Sequence, residues 1–392
     1  MFRATHLAAL TTATTLLAAS AVHAAIDASW TGTTGNWSDA TKWSTNPDVP
    51  DQIDDIANFN AASATSTLDI NSVKLGQLLN TTLTNRIWTI SPDVNDYALT
   101  MQVSSGSALI QTRGTSSTLT INVDVVTASD LIIRSQGTDN LAPTVNLNGT
   151  LTGTGNVTAE VTGGNNATNQ INIASINTVG TLTVQGNRVN GDKTVTISNI
   201  GSNVTTLTKT GTSRLLLPTA NSFAGGTTHQ RNLLQVRANG ALGSGDVSLT
   251  PSANNITNFL PQLEFHSTLT PDVNGIIDVI DDNAILTLQR SKSGSTFYYS
   301  TLLFNNSFGG PNGVTEVVGG LVFKDFDGST LASFDSGIFN RTSLSQSGID
   351  FSQWFSASGN LGSIQIIPEP GTLALATAGL LLMLPRRRRE SL

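Results

Sequence analysis

Leu207-Thr-Lys209-Thr-Gly211-Thr-Ser-Arg214-Leu215-Leu-Leu217 is followed by Asn221-Ser-Phe223-Ala-Gly225-Gly226-Thr227-Thr228-His229. Then come Leu233-Leu-Gln-Val236 and Ala241-Leu242-Gly243-Ser244-Gly245-Asp-Val247-Ser-Leu249. Apolar residues recur every second position in runs of three to six, and each run ends in Gly, Asn, Asp or Ser. That is strand, corner, strand, corner, strand. Outward, the same alternation returns in Leu119-Thr-Ile121-Asn-Val123, Val145-Asn-Leu147, Leu182-Thr-Val184 and Val195-Thr-Ile197. Thr suits the outer face because β-branched side chains pack well on a pleated surface. Helical periodicity is nearly absent from 26 to 366.

The expected fold class is therefore all-β. Two architectures fit such runs, an array of β-sandwiches and a β-solenoid. Aromatic residues make up only 6% of the chain, too few for a series of sandwich cores. Short strands with tight corners favour a right-handed parallel β-helix-like stack, with roughly 20 to 25 residues per turn and strands about 4.8 Å apart. A stack needs both ends covered, because open strand edges invite association.

Composition narrows the chemistry. With no cysteine in 392 residues, disulfides, thiol nucleophiles and thiolate metal sites are excluded. Charged residues are 12%, against about 25% in ordinary soluble domains, so hydroxyl and amide side chains dominate the surface. The formal charge of −7 repels phosphate backbones, so nucleic acid is not an expected partner.

Two regions are aromatic. Trp30, Trp37 and Trp43 lie close together ahead of Phe59, and read as a hydrophobic lid over the first strands or as a row of rings for stacking on sugars. Phe297, Tyr298, Tyr299, Phe304, Phe308, Phe323, Phe326, Phe334, Phe339, Phe351, Trp354 and Phe355 suggest a terminal β module or distal cap, with a short helix near 350–357 as an option.

No catalytic residue, cofactor-binding residue or metal ligand is spelled out. Beyond the N-terminal segment the only histidines are His229 and His266, read as partly exposed strand residues. Asp51/Asp54/Asp55, Asp278/Asp281/Asp282 and Asp325/Asp327 read as solvated turn aspartates. They lack the spacing of a calcium loop, so weak calcium binding is the most they suggest; a glycosidase carboxylate pair is the remoter reading. Lys209 and Arg214 are read as structural.

The ends carry the clearest instructions. Residues 1–24 open with Arg3 and His6, continue through the Ala/Leu/Thr-rich Leu7–Ala19, and end Val22-His23-Ala24, a small-residue pattern expected to be cleaved after Ala24. At the other end Ile367-Pro368-Glu369-Pro370-Gly371 precedes an apolar run to Leu384, Pro385 and Arg386, Arg387, Arg388 and Arg389. That run is shorter than the ~20 residues of a full membrane span, but arginines at its end would hold it transiently from the cytoplasmic side.

This three-part ending resembles the PEP-CTERM sorting signal. The resemblance implies a bacterium that makes exopolysaccharide, and a membrane-embedded exosortase that recognises Pro368, Glu369 and Pro370, with Arg386–Arg389 as the basic stop. The stretch from Leu207 to Leu249 is similar to the autotransporter-associated β-strand repeat, a β-helix unit; it departs at Arg214 (usually a Gly-rich corner), at His229 (usually β-branched) and at Asn232 (usually a turn Gly).

The expected layout is a signal helix (1–24), a Trp-rich β cap (25–100), a solenoid region (101–290), a β module (291–366) and a sorting and anchor segment with a hydrophobic helix (367–392). The expected role is a structural or adhesin-like, biofilm-associated protein of the cell surface or matrix, not an enzyme. Its expected partners are the secretion translocon, the exosortase during transient inner-membrane insertion, and exopolysaccharide or other surface proteins. The alternative is a polysaccharide lyase or hydrolase on a β-helix scaffold.

Overall fold

The computed structural model describes residues 24–60, 62–81, 85–114, 116–138, 141–164, 167–186, 193–252, 259–305, 314–356 and 362–367. The expected signal and anchor helices fall outside these residues, apart from Ala24 and Ile367. Within them the fold is all-β. The only helical pieces are single 3-10 turns at Ala40–Lys42 and Phe351–Gln353, the second where the sequence hinted at a helix. None of the described helices is long and apolar enough to cross a membrane.

The chain alternates between two long sheets. The first runs Asp27–Ser29, Ile56–Phe59, Gln77–Asn80, Ala108–Arg113, Leu131–Gly137, Val157–Gly163, Gly180–Gly186, Val204–Lys209, Thr227–His229, Val247–Leu249, Ile285–Ser293 and Gly320–Lys324, all parallel. The second takes the strand that follows each of the first ten, from Gly35–Asn36 through Thr144–Gly153 and Arg214–Leu217 to Gln262–Phe265, and ends with Thr301–Phe304. Short strands Lys74–Leu75, Leu99–Met101 and Val125–Thr127 add a third ladder, and a separate sheet holds Ile276–Ile277, Val314–Val318, Gly362–Ile366 and Gly337–Asn340. Strands Leu99–Met101 and Ile285–Ser293 run straight across positions 100/101 and 290/291.

Period-2 alternation explains the core. Inward residues of the first sheet stack in one column: Ala57, Leu78, Ile110, Ile133, Ala159, Val184, Lys209, His229, Leu249, Leu288 and Phe323. All are buried. In the second sheet Trp88, Leu119, Val145, Ile171, Val195, Leu215, Leu234, Leu263 and Leu302 do the same. Burying such side chains contributes about 25 cal/mol per Å² of apolar surface, and this supplies what absent disulfides do not.

The outward column of the first sheet is polar in its middle and apolar at Leu109, Ile132 and Val322. Thr158, Thr183, Thr208, Thr228, Ser248 and Thr287 fall in register on one face. On the second sheet Asn172 donates to Asn146 Oδ1 at 2.9 Å and Asn146 to Thr120 Oγ1 at 3.3 Å, each neighbour 26 residues away. The separation between bonded neighbours is 24 at Ser175/Asn199, 20 at Thr212/Asn232, 29 at Gln235/Glu264 and 39 at Asp246/Ile285. The expected 20 to 25 thus holds at some levels, Ile56/Gln77 and Ala64/Trp88 among them, and is exceeded at others.

Corners are tight where glycine permits. A Cβ on Gly225 would lie 1.5 Å from Thr205 O; no side chain fits there without moving backbone. Arg214 is not at a corner as the sequence suggested. It opens a strand opposite Thr194. Asn232 does occupy the left-handed region, with φ 64°, which Asn tolerates better than most residues.

Both ends are closed by aromatic residues. Trp30, Trp37, Trp43 and Trp88 surround Phe59 with ring centroids 4.7 to 6.1 Å apart. All four indoles are at most 2% exposed, so these rings form the lid, with no face free for a sugar. At the far end Phe323, Phe334, Phe339, Phe351 and Trp354 pack edge-to-face and stacked.

Candidate functional site

The residues singled out for sorting, Pro368, Glu369, Pro370 and Arg386–Arg389, lie outside the described residues. Ala24, the expected cleavage position, is exposed and outside any strand. Two residues later the chain is fastened: the Ile26 amide donates to the buried Asp55 carboxylate at 3.0 Å, and the amides of Asp51 and Gln52 donate to its other oxygen at 3.1 and 2.9 Å. Asp55 is thus a buried clamp, not the solvated turn aspartate the sequence suggested. Three amides satisfy what burial would otherwise penalise.

Asp281 and Asp327 do close turns, whereas Asp54 accepts from the Ser104 amide, 50 residues away. Asp281 accepts from the Asn283 amide at 2.9 Å and Asp327 from the Ser329 amide at 2.9 Å; the bonds from Ser329 hold the Asp327 carboxyl below the usual range. Asp278 and Asp282 are pushed up by burial and by neighbouring carboxylates. Near them Glu316 is fully buried, accepting from the amides of Val279 and Ile280, and burial raises its pKa well above the carboxylate norm. Among the described residues no three His, Asp or Glu side chains gather as a metal would require.

His229 departs from expectation. It is fully buried, because its position in the inward column leaves the imidazole no route to solvent. Nε2 lies 2.8 Å from Asn232 O, and Nδ1 has no hydrogen-bond partner among the described residues. Lys209, its neighbour in the column, is equally buried and donates to Gly211 O and Arg231 O. Burial, with repulsion from Lys209, drives the imidazole down to about 3. Burial, with repulsion from Arg231, drives the ammonium down to about 7. No cavity opens onto this pair among those described. His266 is surface-facing and bonds Thr268 at 3.1 Å.

A place where two basic side chains, aromatic faces and a cavity coincide was not singled out as a site in the sequence. Strand Ile285–Ser293 outruns its parallel neighbours and folds back through Thr296–Tyr299 as an antiparallel hairpin. Arg290 opposes Tyr299 and Lys292 opposes Phe297; with a period of two, all four share a face. The Asp325–Gly328 turn is brought alongside because Gln289 pairs with Lys324. Arg290 then forms a two-bond ion pair with Asp325 at 2.8 and 3.1 Å and lies 3.8 Å from the Phe297 centroid. The bonds from Asp325 raise the guanidinium pKa and those from Arg290 lower the carboxyl. The Lys292 ammonium sits 4.9 Å from the Phe326 centroid and 5.3 Å from that of Phe297. A cavity of about 270 Å³ lies here, lined by Pro251, Ser252, Gln289, Arg290, Ser291, Lys292 and Phe326.

No family model, curated protein or solved structure matches this chain.

Proposed function

We propose that this chain is an exported, non-enzymatic element of the cell surface or extracellular matrix, built as a right-handed parallel β-helix and routed by its C-terminal tail. The observation that carries the reading is the alternation of successive strands between two parallel sheets, with buried, largely apolar columns running between aromatic lids. A chain coiled in that way is a rod with a long repetitive flank, the form that suits a spacer or adhesin. Right-handed coiling follows the strong preference of parallel crossover connections. The two ends add the route: a cleavable leader ending at Ala24, and a Pro368-Glu369-Pro370 motif with its apolar run and arginine stop.

The Pro368→Ala/Glu369→Ala double variant tests the routing. It is expected to accumulate unprocessed in the inner-membrane fraction, seen by immunoblotting of separated membranes. Normal surface delivery of the variant would remove the sorting role. The non-enzymatic part is tested by incubating the purified chain with pectin, alginate and native exopolysaccharide; release of reducing ends or unsaturated uronates would overturn it in favour of a lyase or hydrolase.

A further inference from the structure

We propose that the cavity between strand Ile285–Ser293 and the Asp325–Gly328 turn is a binding site for a carboxylate-bearing sugar ring. The site lies wholly within the β-fold, and its chemistry is the same whether or not the chain is exported.

Size comes first. At about 270 Å³ the cavity lies near the lower bound of small-molecule sites, roughly 300 Å³, which suits one ring of a longer chain passing across the surface. Charge comes second. The protein carries a formal −7, yet Arg290 and Lys292 stand two residues apart on one face of the hairpin. They differ in what they have left to offer. Arg290 is committed to Asp325 and to the face of Phe297, which fixes the hairpin to the turn. Lys292 makes no ion pair within 4.0 Å among the described residues; its ammonium is held by two ring faces. An ammonium has three N–H donors and a cation–π contact supplies no anion, so a carboxylate can approach without first displacing another.

The third element is the ring of Phe326. It is 46% exposed at a turn tip, where a polar residue would ordinarily sit. It lines the same cavity and presents an apolar face beside the cation. A pyranose has an apolar C–H face and a polar rim, so a carboxylated sugar satisfies both features together. Small inorganic anions make no use of the ring, and a nucleic acid is opposed by the charge of the whole molecule. Because Arg290, Asp325 and Phe297 already lock the geometry, little ordering remains to be done on binding.

The experiment is calorimetric titration of the purified full-length chain with trigalacturonate and, separately, with neutral maltotriose. Saturable binding of trigalacturonate is expected, weakened by added salt, with maltotriose bound at least about tenfold more weakly. Lys292→Gln is expected to reduce trigalacturonate affinity about tenfold. Phe326→Leu, which keeps an apolar residue on the turn but removes the flat face, is expected to reduce it several-fold. Unchanged melting temperatures of both variants separate a lost ligand contact from a disturbed hairpin; should Phe326→Leu unfold, Lys292→Gln alone decides. Absence of saturable binding, equal affinity for the two sugars, or full affinity in a folded Lys292→Gln chain would each overturn the proposal.

Discussion

His229 places an imidazole where its column otherwise holds Val184 and Leu249, directly against the buried ammonium of Lys209. Both pKa values are depressed by burial, so the unfolded chain takes up each proton at a higher pH than the folded one. For His229 the unfolded form protonates near 6.5 and the folded form only near 3; its contribution is fully present above 6.5 and is lost as pH falls from there to 3. For Lys209 the same loss falls between 10.5 and about 7. His229→Leu is therefore expected to flatten the fall in stability below pH 6.5, measured as the urea midpoint against pH, while leaving the alkaline limb in place. Persistence of the acid limb in that variant would assign it to the carboxylates instead. Neither residue's burial was readable in sequence. Alternation assigned both to strands, but the carbonyls that receive them come from Gly211, Arg231 and Asn232, placed by corner geometry. Asp55 is similar: in sequence it looks like Asp54 beside it, and only the fold buries it and brings three amides onto its carboxylate.

Among the elements, the N-terminal lid packs four buried indoles around Phe59 beside the first strand. The Trp43 indole donates to Trp37 O at 2.9 Å and meets Trp30 edge-to-face at 4.9 Å. Trp43→Ala is expected to cost about 3–5 kcal/mol and to uncover the edge of Asp27–Ser29. The readout is a lower melting temperature together with concentration-dependent association in light scattering, since an unprotected strand edge recruits others; loss of stability without association would argue against an edge-covering role. The strands themselves were largely legible: Val145–Leu147, Leu182–Val184 and Val195–Ile197 fall within observed strands, and the run Leu119–Val123 does so as far as Ile121. A sheet with one buried face writes its pattern into consecutive residues. The hairpin site was not legible, because Lys292 and Phe326 meet only through the pairing of Gln289 with Lys324. No local pattern encodes a partner that distant.

At the scale of the molecule, strands spaced by about 4.8 Å place Asp27–Ser29 and Gly320–Lys324 roughly 50 Å apart along the first sheet. Small-angle scattering of the processed chain is expected to give an elongated distance distribution with one short cross-section; a symmetric, compact distribution would contradict the proposed coil. The unequal steps between bonded neighbours, 26 residues at one level, 20 at another and 39 further on, have a consequence for how such a chain finds its fold. A coil of identical turns can be threaded one level out of place at little cost. Here a shifted thread would stretch a short arc over a wide turn and leave surplus loop at the next, so each level accepts only its own segment. Irregularity that blurs the repeat in the sequence works as a set of keys, and guards a monotonous architecture against misassembly.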